Sequence, residues 1–180
     1  MTAYNKIYEE SIRNYGLFTT EQAGELGISG SAIVNLAKRG RLERLAQGVY
    51  RIDKYVPRAD GLDAYACAVA CCGNDAYLWG PSVLEIRGLC PTDPSRKYVA
   101  TPNRFRGKVP DGIVVKDRMR CDAIGNYEGI RVQGVRQAIL ASQHIVMFDR
   151  LLAAVETAEG QGLLDAAEAK STIRELYKND

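Results

Sequence analysis

Thr19–Ile52, reading TTEQAGELGISGSAIVNLAKRGRLERLAQGVYRI, decides how the N-terminal part of the chain folds. Thr19 and Gln22 have the spacing of a capping box, so a helix is expected from about Thr20. Ala23 and Leu26 give that helix a short apolar edge, and Gly27 supplies the left-handed residue that ends it. Ser29 is a good N-cap for a second helix, which runs to about Arg39 and stops at Gly40. In that helix Ile33, Leu36 and Ala37 share one face at i, i+3, i+4. Ser31, Val34, Asn35 and Lys38 occupy the other. A helix, a short turn with glycine and a second helix make a helix-turn-helix pattern.

The residues that follow sharpen this reading. Arg41–Leu45 and Gly48–Ile52 read as two short strands around Ala46-Gln47, a small hairpin or wing. A winged helix docks its second helix in the major groove and lays its wing along a phosphate backbone. The local charge agrees. Lys38, Arg39, Arg41, Arg44, Arg51, Lys54 and Arg58 are opposed only by the acids Glu43 and Asp53. Ser31 and Asn35 lie near the start of the second helix on its exposed face, where base contacts are usual. A solvated basic surface used for protein contact is the competing reading, since a fold does not fix a function.

The chain has 180 residues, enough for one large or two small domains, and 46% of them are hydrophobic. Net charge is only +2, so the basic excess is local and the whole protein is not a polycation. Charges run throughout Met1–Tyr15, against a secretory signal. The longest apolar run, Ala64–Cys72, is far too short to span a bilayer. These features predict a soluble, cytoplasmic protein without a membrane partner.

The five cysteines are Cys67, Cys71, Cys72, Cys90 and Cys121. An odd count without a secretory signal argues against a disulfide framework. Cys67, Cys71 and Cys72 fall on an expected helix among alanines, where small thiols pack a helix. No C-x-x-C pair is present, so no zinc or other metal site is expected, and no cofactor. A Cys/His nucleophile would need the single histidine, His144, which stands at the entry to an apolar helical stretch.

Tyr4–Tyr15 reads as a first helix with Ile7, Tyr8, Ser11 and Ile12 on one face, ended by Gly16 and bracing the helix-turn-helix. Asp53–Arg58, with Pro57, reads as a linker. It divides a winged helix-turn-helix over residues 1–58 from a second domain over 59–180. In the second domain Asp60–Cys72 is expected as a helix, Ala76–Trp79 as a strand, and Pro81 opens a helix that Gly88 closes. Lys97–Thr101, Ile113–Lys116 and Gly129–Gln133 read as strands, and Gly134–Ser142, Val146–Glu159 and Asp165–Tyr177 as helices. The fold class is α+β, with a small sheet framed by helices.

Phe18–Ser29 (FTTEQAGELGIS) and Arg39–Ile52 (RGRLERLAQGVYRI) resemble the winged-helix domain of AbiEi-type antitoxins of bacterial type IV toxin–antitoxin systems, an abortive-infection family. Ala76–Leu89 (AYLWGPSVLEIRGL) is similar to the strand-then-helix segment that follows their linker. Tyr127–Leu140 (YEGIRVQGVRQAIL), a long helix, a Gly-Leu-Leu link and a last helix resemble their ending. One departure stands out: Gln47 precedes Gly48 where many relatives carry Arg. The resemblance implies a regulator that binds inverted repeats upstream of its own operon and represses it. It also implies a functional partner, a nucleotidyltransferase-like toxin, counteracted by the second domain. The residues expected at double-stranded DNA are Ser29, Ser31, Asn35, Lys38, Arg39, Arg41, Arg44, Gln47 and Arg51.

Two other functions compete with an antitoxin and autoregulator. One is a winged-helix regulator whose second domain binds an effector, with no toxin partner. The other is a nuclease, for which Asp111, Lys116 and Asp117 lie near expected strands. Charges at strand ends are usually solvated turns, and no Walker loop, HExxH or GxSxG motif occurs, so no catalytic residue is assigned and the chain is not expected to be an enzyme.

Overall fold

A computed structural model describes residues 2–93 and 95–178. By contact the chain forms two compact units: Met1–Asn74 with Arg106–Asp111, and Asp75–Phe105 with Gly112–Asp180. Both mix helices with sheet, so the chain is α+β.

The first unit begins with α1 (Ala3–Ser11), β1 (Leu17–Thr19), α2 (Thr20–Glu25) and α3 (Gly30–Lys38). It continues with β2 (Leu42–Ala46), β3 (Val49–Ile52) and α4 (Leu62–Cys72). α1 is shorter than the expected Tyr4–Tyr15 helix. The chain leaves it at Ser11 and reverses through Tyr15 and Gly16, whose φ values are 54° and 68°. At Gly16 a Cβ would lie 2.4 Å from Cγ of Tyr55, so only glycine satisfies both the backbone and the close approach of that ring. The reversal delivers β1, a strand of three residues, onto β3 with Leu17 opposite Arg51. The sheet order is β1-β3-β2, all antiparallel, with a bulge between Arg44 and Ala46.

Both halves of the Thr19 capping box form: Gln22 N donates to Thr19 Oγ1 at 3.2 Å and Thr19 N to Gln22 Oε1 at 2.8 Å. Ile7, Phe18, Ala23, Ile28, Ile33, Leu42, Tyr50 and Ile52 form one buried cluster. This cluster is where the apolar edges of three helices and the hairpin meet, and Tyr55 packs against it. The stretch expected as a linker is therefore partly built into the unit. Arg58 N donates to Asp63 Oδ2 at 2.9 Å, and the Arg58 guanidinium lies 5.4 Å from the Tyr15 ring centroid. α4 packs on β1, within this first unit.

The second unit holds β4 (Tyr77–Leu78), α5 (Pro81–Ile86), β5 (Lys97–Ala100), β6 (Ile113–Lys116), β7 (Ile124–Tyr127) and β8 (Ile130–Gln133). Three helices complete it: α6 (Val135–Ala141), α7 (Phe148–Gly160) and α8 (Ala166–Lys178). The sheet order is β6-β5-β4-β8-β7, with β5–β6 and β4–β8 parallel and the other pairs antiparallel. Strand β7 was not expected: Ile-Gly-Asn-Tyr lacks the β-branched alternation that marks a strand, and pairing with β8 makes it one. Leu78, Val99 and Val132 align by register on one face and are fully buried. Tyr77, Trp79, Tyr98 and Ala100 cluster on the other. Asp165 and Glu168 close a reciprocal capping box at the start of α8.

Candidate nucleic-acid interface

α3 owes its place to Ser29, whose Oγ accepts from Ala32 N at 3.3 Å and lies 3.0 Å from Ser31 Oγ. With Ile33 buried and Leu36 and Ala37 packed against the cluster beneath, the helix turns a polar face outward. Ser31, Asn35 and Lys38 are exposed on that face at i, i+4, i+7, and Arg39 is exposed at its C-cap. Val34 joins them at 47% exposure. Its neighbours at i−3 and i+4 were legible as surface residues, which was the available signal that an apolar group stands among them.

The hairpin contributes unequally. Arg44 and Gln47 are exposed, and Arg44 Nε reaches the Ala46 carbonyl at 3.4 Å. Gly48 takes φ 75°, and its carbonyl accepts from Thr20 N at 2.9 Å, tying the turn to the start of α2. Arg41 is engaged inside the unit. Its Nε is 3.3 Å from Asp53 Oδ2, and its guanidinium lies 4.0 Å from the Tyr4 ring centroid. The Tyr4 hydroxyl donates to Asp53 Oδ1, and burial, then that carboxylate, hold the phenol above its ordinary pKa. Arg51 is half-buried, with its Nε sealed from solvent and its guanidinium 5.7 Å from the Tyr55 ring centroid.

The nine sequence-expected residues thus fall into two sets. Ser29, Ser31, Asn35, Lys38, Arg39, Arg44 and Gln47 are exposed on α3 or the hairpin; Arg41 and Arg51 are held by neighbours. Among the described residues Lys38, Arg39 and Arg44 have no acidic partner, so their charge stands uncompensated at the surface. No group of three or more His, Cys, Asp or Glu side chains able to hold a metal ion occurs among the described residues. No helix among them is long and apolar enough to cross a membrane.

Residues 5–52 match the family described as "Transcriptional regulator, AbiEi antitoxin". The AbiEi match contains most of α1, both helices of the turn motif and the complete hairpin, and all nine residues discussed above. No curated protein matches the chain. Among solved structures, the RV2827C protein from Mycobacterium tuberculosis is 13% identical, with a TM-score of 0.44 over 97% of this chain and 82% of that one. At that level of similarity nothing about function follows.

The second unit contains a cavity of about 480 Å³ lined in part by Arg96, Tyr98, His144, Met147 and Arg150. His144 sits there with φ 65°, a left-handed conformation uncommon for a residue with a side chain. Arg150 Nη1 donates to the Pro91 carbonyl at 3.3 Å, and Arg96 Nε lies 3.7 Å from Asp93 Oδ2.

Proposed function

We propose that the first unit is a winged helix-turn-helix that binds double-stranded DNA, and that the chain is an autoregulating antitoxin of a type IV toxin–antitoxin system. The observation that carries this is the outward face of α3, with Ser31, Val34, Asn35 and Lys38 exposed beside the exposed Arg44 and Gln47 of the hairpin. A helix with this face enters a major groove N-terminus first, and the hairpin then lies along the sugar–phosphate backbone. Asn35 has the donor and acceptor to read adenine, and Val34 offers an apolar contact to a thymine methyl group. Ser29, Lys38, Arg39 and Arg44 contact phosphates, which position the protein without reading sequence. The match of residues 5–52 to AbiEi antitoxin regulators supports the same reading.

In this account the target is an inverted repeat upstream of the chain's own operon. Residues 59–180 counteract a nucleotidyltransferase-like toxin. Fluorescence anisotropy with the upstream duplex and a scrambled duplex of equal length tests the DNA half. Tighter binding to the upstream duplex, lost in Asn35→Ala, is the expected result. Equal affinity for both duplexes in the wild type overturns it. A growth assay with the toxin under an unrelated promoter tests the other half, because repression then plays no part.

The cavity of about 480 Å³ favours a second reading, a regulator whose second unit binds an effector. Its volume falls in the range of small-molecule sites. Asp93 pairs with Arg96 in its wall, and Arg150 with Tyr98 suits an anion with a flat apolar part.

A further inference from the structure

Asp63, Cys67 and Cys71 follow one another at i, i+4 along α4, which sets them in one row on the helix. Arg51 of β3 and Tyr55 lie beside this row. Burial, then the Asp63 carboxylate, push the Tyr55 phenol up to about 12. Cys67 Sγ and Cys71 Sγ are 4.0 Å apart, a thiol–thiol hydrogen bond. Both residues are half-buried, whereas Cys72 is buried. The hydrogen bond with Cys71, with the Arg51 guanidinium in support, holds the Cys67 thiol down to about 7 against the opposing effects of burial and the Glu43 carboxylate. The same bond pushes the Cys71 thiol up. The two thiols thus share one hydrogen bond, with the Arg51 charge favouring the thiolate at Cys67.

We propose that Cys67 and Cys71 form an oxidisable dithiol site, with Cys67 the attacking and Cys71 the resolving thiol, whose oxidant is a small hydroperoxide. The Cys67 thiolate attacks one oxygen of hydrogen peroxide. The O–O bond breaks, and the departing hydroxide takes a proton and leaves as water. Cys67 is then a sulfenic acid. The Cys71 sulfur attacks it, the S–O bond breaks, and the departing hydroxide carries the Cys71 proton away as a second water. The two thiols lose two electrons, and the peroxide gains them.

The product is a local device. A disulfide needs its sulfurs about 2.05 Å apart and its Cβ atoms about 3.5–4.5 Å apart. Cβ atoms at i, i+4 of a helix are about 5–6 Å apart. Forming the bond therefore tightens α4 across that turn. α4 packs on β1 and the row borders Arg51 of the central strand, so the tightened turn lies against the three-stranded sheet.

The test uses the full-length reduced protein and near-stoichiometric hydrogen peroxide. Intact mass under non-reducing conditions should fall by about 2 Da, reversibly with a dithiol reductant. Fragmentation should place the bond between Cys67 and Cys71. In Cys71→Ser, dimedone should trap a sulfenic acid on Cys67, and in Cys67→Ser no adduct should form at Cys71. Cys67→Ala, in this alanine-rich helix, repeats the second arm if the serine variant fails to fold. A bond to Cys72, Cys90 or Cys121 overturns the proposal. So does a gain of about 32 Da without a 67–71 bond, the mark of a sulfinic acid. Mapping of the wild type needs no variant, and no arm uses DNA, so these results stand apart from the proposed function.

Discussion

Arg44→Ala and Arg51→Ala should separate charge that reaches DNA from charge spent inside the protein. Each phosphate neutralised contributes about 0.9 to the slope of log affinity against log salt. On α3 and the hairpin, Lys38, Arg39 and Arg44 are exposed and have no acidic partner among the described residues. Three such contacts set a slope of about −2.7 per copy, or about a 40-fold loss of affinity between about 50 and about 200 mM salt. Arg44→Ala should flatten the slope by about 0.9 and reduce that loss to about 12-fold, equally on operator and scrambled DNA. Arg51 carries the same formal charge, but its Nε is sealed from solvent and its guanidinium lies beside Tyr55. Arg51→Ala should leave the slope unchanged and show its effect in a urea melt instead. The assay is fluorescence anisotropy across a salt series, with circular dichroism confirming the fold of each variant. A folded Arg51→Ala that flattens the slope as much as Arg44→Ala would refute the partition. An unchanged slope in Arg44→Ala would place Arg44 off the DNA.

Asn35→Ala should cost about 1–3 kcal/mol of discrimination between operator and scrambled duplexes while nonspecific binding persists, as read by competition binding. Gly16→Ala combines a left-handed backbone with a Cβ placed 2.4 Å from Tyr55 Cγ, and should lose about 2–5 kcal/mol in urea denaturation. Gly30→Ala has open space and no positive φ, and should be neutral or stabilising by up to about 1 kcal/mol. Alkylation of Cys67 by iodoacetamide should rise with pH through a midpoint near 7, because the thiolate is the reactive form and Cys71 holds that thiol down to about 7. Cys71→Ala, which removes the hydrogen-bonding partner, should move the midpoint upward. A fragment of residues 1–74 should melt at higher temperature than residues 1–58. The shorter fragment lacks α4 and the Asp63 carboxylate that accepts from Arg58 N; equal melting temperatures would show that α4 adds nothing to the unit.

The turn motif was legible in the sequence because its determinants are local. Thr19 and Gln22 are three residues apart, Gly27 and Gly40 have φ of 68° and 69°, and Ser29 caps the very next helix. Propensity and capping act within a turn or two of chain, so pattern alone placed α2, α3 and the β2–β3 hairpin. The same holds for the Asp165–Glu168 box that starts α8. Strands β1 and β7 were not legible. The first has three residues and the second contains Gly125 and Asn126, so neither carries a period-2 signal, and each exists only because a partner strand supplies its hydrogen bonds. Nor could the sequence sort one arginine from another. Arg41, Arg44 and Arg51 are equal as charges along the chain. Asp53 and Tyr4 hold the first, the second is exposed, and the third is half-buried beside Tyr55. The thiol pair shows the same division. Its i, i+4 spacing is written in the sequence, but the Arg51 charge that supports Cys67 comes from a strand sixteen residues earlier in the chain, brought there only by folding. Contacts between residues distant in sequence depend on how every element packs, and that sum is a property of the tertiary structure.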